Sequence, residues 1–368
     1  MNDFSFSTAE DLKIFFDKEK FKKIFILCGE KSFLSSGASK IINNLNLLNK
    51  KFFYKKFAHP VFEELILIIN EIKNYSPDLI LAIGGGSVLD YAKISNSLLN
   101  HKNLKQEIIN SSYKIKKNAA KLLAIPTTAG SGAEVTSNAV IYIDNKKFSV
   151  EHEKIKPDFF YLLPELVIGA SNKIKSSAGF DAIAQALESL ISKKSNEISV
   201  EFAKKSLKIS LKNYLAFLKK PNFENTAAMC LAANLSGKAI NISKTTAPHA
   251  VSYPFTSIYN ISHGHAVSLT LNKFLKFNYE NLNNSTSDFD LKKRFEIMFN
   301  ISNTSNILSF DKYLSHLKSQ ANLENNFINL GIDMKKDYPN IISGVNIQRL
   351  SNNPVQLTIK DLKKIIQK

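Results

Sequence analysis

The stretch DLILAIGGGSVLDYAKI, residues 78–94, passes from one kind of structure to another across three consecutive glycines. Leu79 to Ile83 form an apolar run too short for a helix and bounded by a turn signal, which reads as a buried strand. Gly84, Gly85 and Gly86 end it, and Ser87 and Asp90 open a helical pattern. Without a Cβ, a backbone can approach a pyrophosphate closely, and the N–H groups at a helix start offer a partial positive field. The spacing is not GxGxxG, so taken alone the run fits an ordinary strand-to-helix turn equally well.

Working outward, the same alternation continues on both sides. Upstream, KIFILCG (23–29) reads as a buried strand and SFLSSGASKIINNLNLL (32–48) as a turn leading into a helix. KKFFYKKF (50–57) is a second strand, and VFEELILIINEIKNY (61–75) repeats apolar positions at helical spacing. Strands alternating with crossover helices predict a doubly wound parallel sheet. Downstream, AIPTTAGSGAEVTSNAVIY (124–142) runs a strand into Thr127, Thr128, Ser131 and Ser137, around two further glycines. Small hydroxyl residues and glycines on one loop can line a polar ligand, and by themselves they also fit a Ser/Thr-rich connection.

After residue 167 the β-rich runs stop. SAGFDAIAQALESLIS (177–192), SVEFAKKSLKISLKNYLAFLKK (199–220) and ENTAAMCLAANLSGKAIN (224–241) all keep a helical period. The predicted organisation is an α/β domain over 1–166 with a parallel sheet and an all-helical domain over 167–368. A chain of 368 residues with 44% hydrophobic content has the material for two cores.

The net charge of +17 raises nucleic acid as a partner, but only Arg294 and Arg349 among the 49 basic residues are arginine. The lysines are spread rather than striped among aromatics, which reads as a solvated surface with no nucleic-acid groove. Cys28 and Cys230 lie far apart with no CxxC partner, arguing against disulfides and thiolate metal sites and for a reducing, cytoplasmic setting. The first residues, MNDFSFSTAEDLKIFF, lack the features of a secretory leader, and no apolar run is long enough for a membrane span.

Together these motifs resemble those of the iron-containing (group III) alcohol dehydrogenases. The family's GGGSxxDxAK stands here as GGGSVLDYAK (84–93) and its PTTAGTGSE as PTTAGSGAE (126–134), with the likeness running from about residue 22 to the C-terminus. The resemblance implies the dehydroquinate synthase-like architecture, an N-terminal dinucleotide-binding α/β domain followed by a helical metal-binding domain. It also implies that Gly84, Gly85, Gly86, Ser87, Asp90, Thr127, Thr128, Ser131 and Ser137 hold the dinucleotide. Glu30, after the first strand, is placed to accept from a ribose diol and favours NAD; the adjacent Lys31 leaves NADP open.

The family's metal ligands map onto Asp181 in AGFDAIAQALES, which resembles AGxDAxxHAxE, and onto His249 and His263, which keep its fourteen-residue spacing. The expected ion is Fe2+ or Zn2+. Residue 185, one turn beyond Asp181, is Gln where the family has His. Its amide oxygen can ligate a hard cation, or the residue can be a buried polar group hydrogen-bonded nearby. His265 is read as a neighbour of the site, not a ligand.

Tyr253 replaces a second His of the family, and KTTAPHAVSYP, HGHAVSLTL and NNPVQLT together resemble the phosphonoacetaldehyde reductase branch. This implies metal-assisted, NAD(P)H-linked reduction of phosphonoacetaldehyde to 2-hydroxyethylphosphonate by a homo-oligomer. Lys244, with Thr245 and Thr246, and Arg349, beside Ser351, Asn352 and Asn353, are candidates for holding the anion, and each also fits an ordinary surface residue. Tyr253 is a candidate for orienting the substrate or relaying a proton. The alternatives are a generic short-chain alcohol or lactaldehyde-type dehydrogenase and a non-redox lyase of the dehydroquinate synthase type.

Overall fold

The computed structural model describes residues 7–45, 47, 49–144, 146–345 and 347–367. Its contacts divide the chain into two units. One runs up to Ser171 and takes in Asn222–Cys230; the other comprises Asn172–Pro221 and the chain from Leu231 onward.

The first unit is built on β1 (Ile24–Gly29), β2 (Lys50–Lys55), β3 (Leu79–Gly84), β4 (Lys121–Pro126) and β7 (Phe159–Phe160), in the order β2-β1-β3-β4-β7. All pairings in this sheet are parallel, with Leu27 opposite Ala82 and Ala82 opposite Ala124. Every residue of β1 and β3 is buried, as expected of strands covered on both faces. Phe25, Leu27, Ile80 and Ala82 point into a core shared with α4 (Phe62–Tyr75), α5 (Gly86–Ser97) and α6 (Leu104–Ile109). Ile24, Ile26, Cys28, Leu79, Leu81 and Ile83 point the other way, onto α1 (Ala9–Glu19), α2 (Glu30–Ser35), α3 (Ala38–Asn43) and α7 (Glu165–Ile168). The result is a three-layer α/β/α unit. An antiparallel hairpin of β5 (Asn138–Ile143) and β6 (Lys146–Glu151), which the sequence pattern does not announce, follows the second glycine motif.

Chain direction across this sheet reverses between β1 and β3. In open α/β sheets such a switch point, at the carboxyl ends of the strands, is where ligands bind. Glu30 follows β1, Gly84 to Gly86 close β3, and Thr127 and Thr128 follow β4. The three sequence signals therefore converge on one edge.

The second unit is helical: α8 (Asn172–Ile191), α9 (Glu197–Lys219), the later part of α10 (Phe223–Ser243), α11 (Ala247–Tyr259), α12 (His263–Glu280), α13 (Leu291–Ser302), α14 (Ile307–Gln320), α15 (Met334–Ser343), α16 (Ile347–Leu350) and α17 (Ile359–Gln367). Helix α8 packs against α9 and α12 and is buried on nearly all sides; Ala182, Ala184, Ala186 and Ser189 let its neighbours come close. Val251, Phe255, Ala266 and Phe274 of α11 and α12 share a core with Ile341 of α15 and Leu362 and Ile366 of α17. The pattern reading cuts the chain once, after 166, whereas the first two turns of α10 group with the sheet unit. Helical periodicity reports which residues share a face, not which core that face joins.

Among the described residues no helix is long and apolar enough to cross a membrane. Cys28 and Cys230 are both buried and free, and burial pushes the Cys28 thiol up to about 12.

Candidate functional site

In the sheet unit the two glycine motifs face each other. A Cβ on Gly85 would stand 3.4 Å from Thr128 Oγ1, and one on Gly86 would stand 3.0 Å from Ser131 Oγ. The Thr127 N–H donates to the Gly84 carbonyl at 3.0 Å and holds the loops in register. Gly84 has a packing reason as well, since a Cβ there would meet Val88 at 2.5 Å. The N-cap of α5 is Gly85, which offers no capping side chain, and the first turn carries no acid. An anion is the natural partner for the N–H groups such a helix start leaves over.

Ser87, Thr128 and Ser131 are half-buried beside these loops and Glu30 is exposed, whereas Thr127 and Ser137 are buried. Asp90 turns away from the glycines. Its carboxylate accepts from the Val140 N–H, and burial raises its pKa to about 6 against the opposing pull of Lys93. Lys93, fully buried, donates to Thr136 Oγ1 at 2.9 Å and to the Asn138 carbonyl at 3.1 Å. The acid and lysine of GGGSVLDYAK thus tie α5 to the 136–140 segment, one and two turns along the helix from the glycines.

In the helical unit, Asp181, His249 and His263 come together from three helices. One ligand-type atom of each lies within 4.8 Å of the others. His249 Nε2 stands 3.3 Å and His263 Nε2 4.0 Å from Asp181 Oδ1. The close approach depends on Gly264: a Cβ there would lie 1.9 Å from the Ser177 carbonyl oxygen and 2.8 Å from Asp181 Cβ. His249 Nδ1 pairs with Glu188 Oε2, and its Nε2 is buried facing Asp181 Oδ1. Burial pulls the His249 pKa down, but the carboxylates of Glu188 and Asp181 outweigh it and hold the ring up at about 9.

Gln185 reaches this cluster through Asp181. Its Nε2 donates to Asp181 Oδ2 at 3.1 Å, and its Oε1 accepts from Ser236 Oγ at 2.9 Å. The amide oxygen expected to ligate is therefore turned to Ser236, and Gln185 makes the contact of a brace on Asp181. Glu188 and Ser236 were not singled out by sequence; the i, i+4, i+7 recurrence of Asp181, Gln185 and Glu188 on α8 is the signal that could have found the first of them.

Tyr253, one turn after His249 on α11, lies against His263, with ring centroids 6.1 Å apart and planes inclined by 24°. Its hydroxyl is hydrogen-bonded to Arg349; burial raises its pKa while the guanidinium opposes the rise. Arg349 is positioned by the segment after it: Asn352 N–H donates to the Arg349 carbonyl, and the Asn352 amide donates to the carbonyls of Ser243 and Thr245 at 2.9 Å each. Asn352 and Asn353 are thus staples, Asn353 bonding Asn278 and the Val355 carbonyl. Lys244 occupies the left-handed position (φ 58°) that ends α10. Thr246 is committed to Glu188 and is not a free donor for a substrate. His265 Nε2 bonds the Glu324 carbonyl at 2.8 Å, apart from the cluster.

The sequence profile of iron-containing alcohol dehydrogenases matches residues 4–164, and that of the family's C-terminal region matches residues 175–368. The chain belongs to the iron-containing alcohol dehydrogenase family. Among curated members of that family, a 4-hydroxybutyrate dehydrogenase of Clostridium kluyveri is 28% identical over 257 residues, covering 64% of this chain and 68% of that protein. A phosphonoacetaldehyde reductase of Streptomyces viridochromogenes is 27% identical over 226 residues, covering 59% of this chain but only 57% of that protein's length. In fold, the chain is similar to a sulfoacetaldehyde reductase of Bifidobacterium kashiwanohense solved with NAD+, with a TM-score of 0.87 at 24% identity over 99% of this chain and 95% of that one.

Proposed function

We propose that this iron-containing alcohol dehydrogenase family member is an NAD-linked, divalent-metal-dependent reductase of a small anionic aldehyde, with phosphonoacetaldehyde, reduced to 2-hydroxyethylphosphonate, as the substrate. The observation that carries the substrate class is the Arg349–Tyr253 pair stacked against His263, which sets a permanent cation one side chain from the metal-type cluster. Guanidinium is suited to planar, multidentate recognition of phosphonate or carboxylate oxygens. The two curated relatives above act, by name, on a phosphonate-bearing aldehyde and on a carboxylate-bearing alcohol, which supports an anion at the far end of the substrate.

The residues fit the groups this reading requires. A carboxylate and two imidazoles suit a divalent ion of borderline softness, and the convergence of one ligand-type atom each from Asp181, His249 and His263, with Nε2 of His249 buried against Asp181, supports one there. The uncapped start of α5 beside Gly85 and Gly86 suits a pyrophosphate, and Glu30 at the end of β1 favours NAD over NADP. When bound, the ion supplies Lewis acidity for a carbonyl oxygen and the reduced dinucleotide supplies hydride. The chain's own residues do the rest. Arg349 fixes the anionic end, Tyr253 keeps its proton because burial holds its pKa up and so serves as a donor, and Gln185 holds Asp181 in place.

The test compares phosphonoacetaldehyde, a carboxylated analogue, glycolaldehyde and lactaldehyde with NADH and NADPH, in wild type and in Arg349→Ala and Lys244→Ala. Loss of a charge-assisted contact is worth about 1.5–3 kcal/mol, roughly ten- to hundredfold in kcat/KM. That loss is expected for the anionic aldehydes with Arg349→Ala, with neutral aldehydes little changed. A wild-type preference for neutral aldehydes would refute the anionic substrate and favour the generic dehydrogenase.

A further inference from the structure

We infer that Glu188 is a positioning residue that sets the tautomer and ring orientation of His249, so that Nε2 presents its lone pair to the space shared with Asp181 and His263. The inference rests on the metal-dependent reading above.

Glu188 is fully buried on α8, seven residues after Asp181 and on the same face. Its two oxygens have different partners. Oε1 accepts from the Thr246 N–H and the Thr246 hydroxyl, both at 2.9 Å, and from the His249 N–H at 3.4 Å. Thr246 is the N-cap of α11 and makes no capping bond with its own side chain, while Pro248 brings no N–H. Glu188 therefore caps α11 from a neighbouring helix. Its other oxygen, Oε2, takes Nδ1 of His249. A carboxylate oxygen only accepts, so Nδ1 carries a proton and Nε2 is left as the donor atom for an ion. One carboxylate thus fixes both where α11 begins and which nitrogen of His249 faces the cluster.

A cap alone and a positioning residue make different demands on residue 188, and Glu188→Gln separates them. Glutamine keeps the length and one acceptor oxygen. The donors of Thr246 and His249 hold that oxygen on their side, which leaves the NH2 group against Nδ1. An N–H facing Nδ1 needs a lone pair there, which moves the ring proton to Nε2 and turns the ligand atom into a donor. Were the amide to flip, the NH2 group would face the N–H groups of Thr246 and His249 instead. A mere cap tolerates glutamine; the tautomer does not.

The experiment measures Zn2+ affinity by chelator competition in wild type, Glu188→Gln and His263→Ala, with helix content by circular dichroism and histidine-ring 15N shifts of the zinc-loaded proteins. Support takes the form of a ten- to hundredfold weaker Zn2+ affinity in Glu188→Gln with helix content retained, as for other partners of metal-bound histidines. Wild type should show His249 protonated at Nδ1 and zinc-bound at Nε2. That wild-type spectrum decides the matter even if the variant fails to fold: the opposite pattern overturns the inference, as does a folded Glu188→Gln with wild-type affinity. Wild type that binds no Zn2+ through His263 defeats the metal-dependent reading itself, which is a separate result.

Discussion

Gly264→Ala is the sharpest perturbation of the metal-type cluster, because it adds one methyl group where α12 touches α8. The added Cβ would sit 1.9 Å from the Ser177 carbonyl oxygen, a backbone atom that no rotamer change can move, and 2.8 Å from Asp181 Cβ. Restoring an ordinary 3.4 Å contact requires the start of α12 to withdraw by about 1.5 Å. His263, the preceding residue, moves with it, and its Nε2 already stands 4.0 Å from Asp181 Oδ1. Overpacking of this kind costs roughly 1–3 kcal/mol, offset by up to about 1 kcal/mol for replacing a helical glycine. A net loss of up to about 2 kcal/mol lowers Tm by up to roughly 8 °C in a unit of this size. Zn2+ affinity should fall at least tenfold, since a displaced ligand loses more than a removed hydrogen-bond partner does. Thermal melts with and without chelator, beside chelator competition, read both effects: wild type should lose more Tm on chelation than Gly264→Ala does. Gly85→Ala is the control, its Cβ meeting only Thr128 at 3.4 Å. Wild-type Zn2+ affinity and Tm in Gly264→Ala would refute the close-approach argument.

Two further expectations follow from the same geometry. Gly85→Val fills the space between the glycine loop and Thr128, so the apparent constant for NADH should rise far more than that for aldehyde; equal rises in steady-state kinetics would mean general misfolding instead. In the metal-free protein, His249 is held up at about 9 against an ordinary 6.5, so the stability it contributes is fully present below pH 6.5 and is lost as pH rises through 9. Chelated protein should therefore melt at progressively lower temperature across that window, with the dependence flattened in His249→Ala. A divalent ion competes with that proton, so Zn2+ affinity should move the other way and strengthen as pH rises.

Much of this protein was legible in one dimension. The apolar runs of β1 and β3 announced strands buried on both faces, and their alternation with helical periods announced the parallel sheet, because backbone hydrogen bonding and burial impose short-range periods on the sequence. The glycine loops pointed to phosphate chemistry because that depends on residue type at fixed separations along the chain, whereas the fourteen-residue spacing of His249 and His263 pointed to a metal only through the resemblance to the family's motif. What periodicity does not encode is which helices touch. That Asp181 meets two histidines from other helices follows from the contact at Gly264, and that Gln185 braces Asp181 follows from Ser236 claiming its oxygen. The assignment of the first turns of α10 to the sheet unit, the turn of Asp90 toward β5, and the meeting of Arg349 with Tyr253 across nearly a hundred residues are of the same kind. Each is decided by how closely packed surfaces approach in three dimensions, where a single carbonyl or methyl group determines which polar atoms find one another.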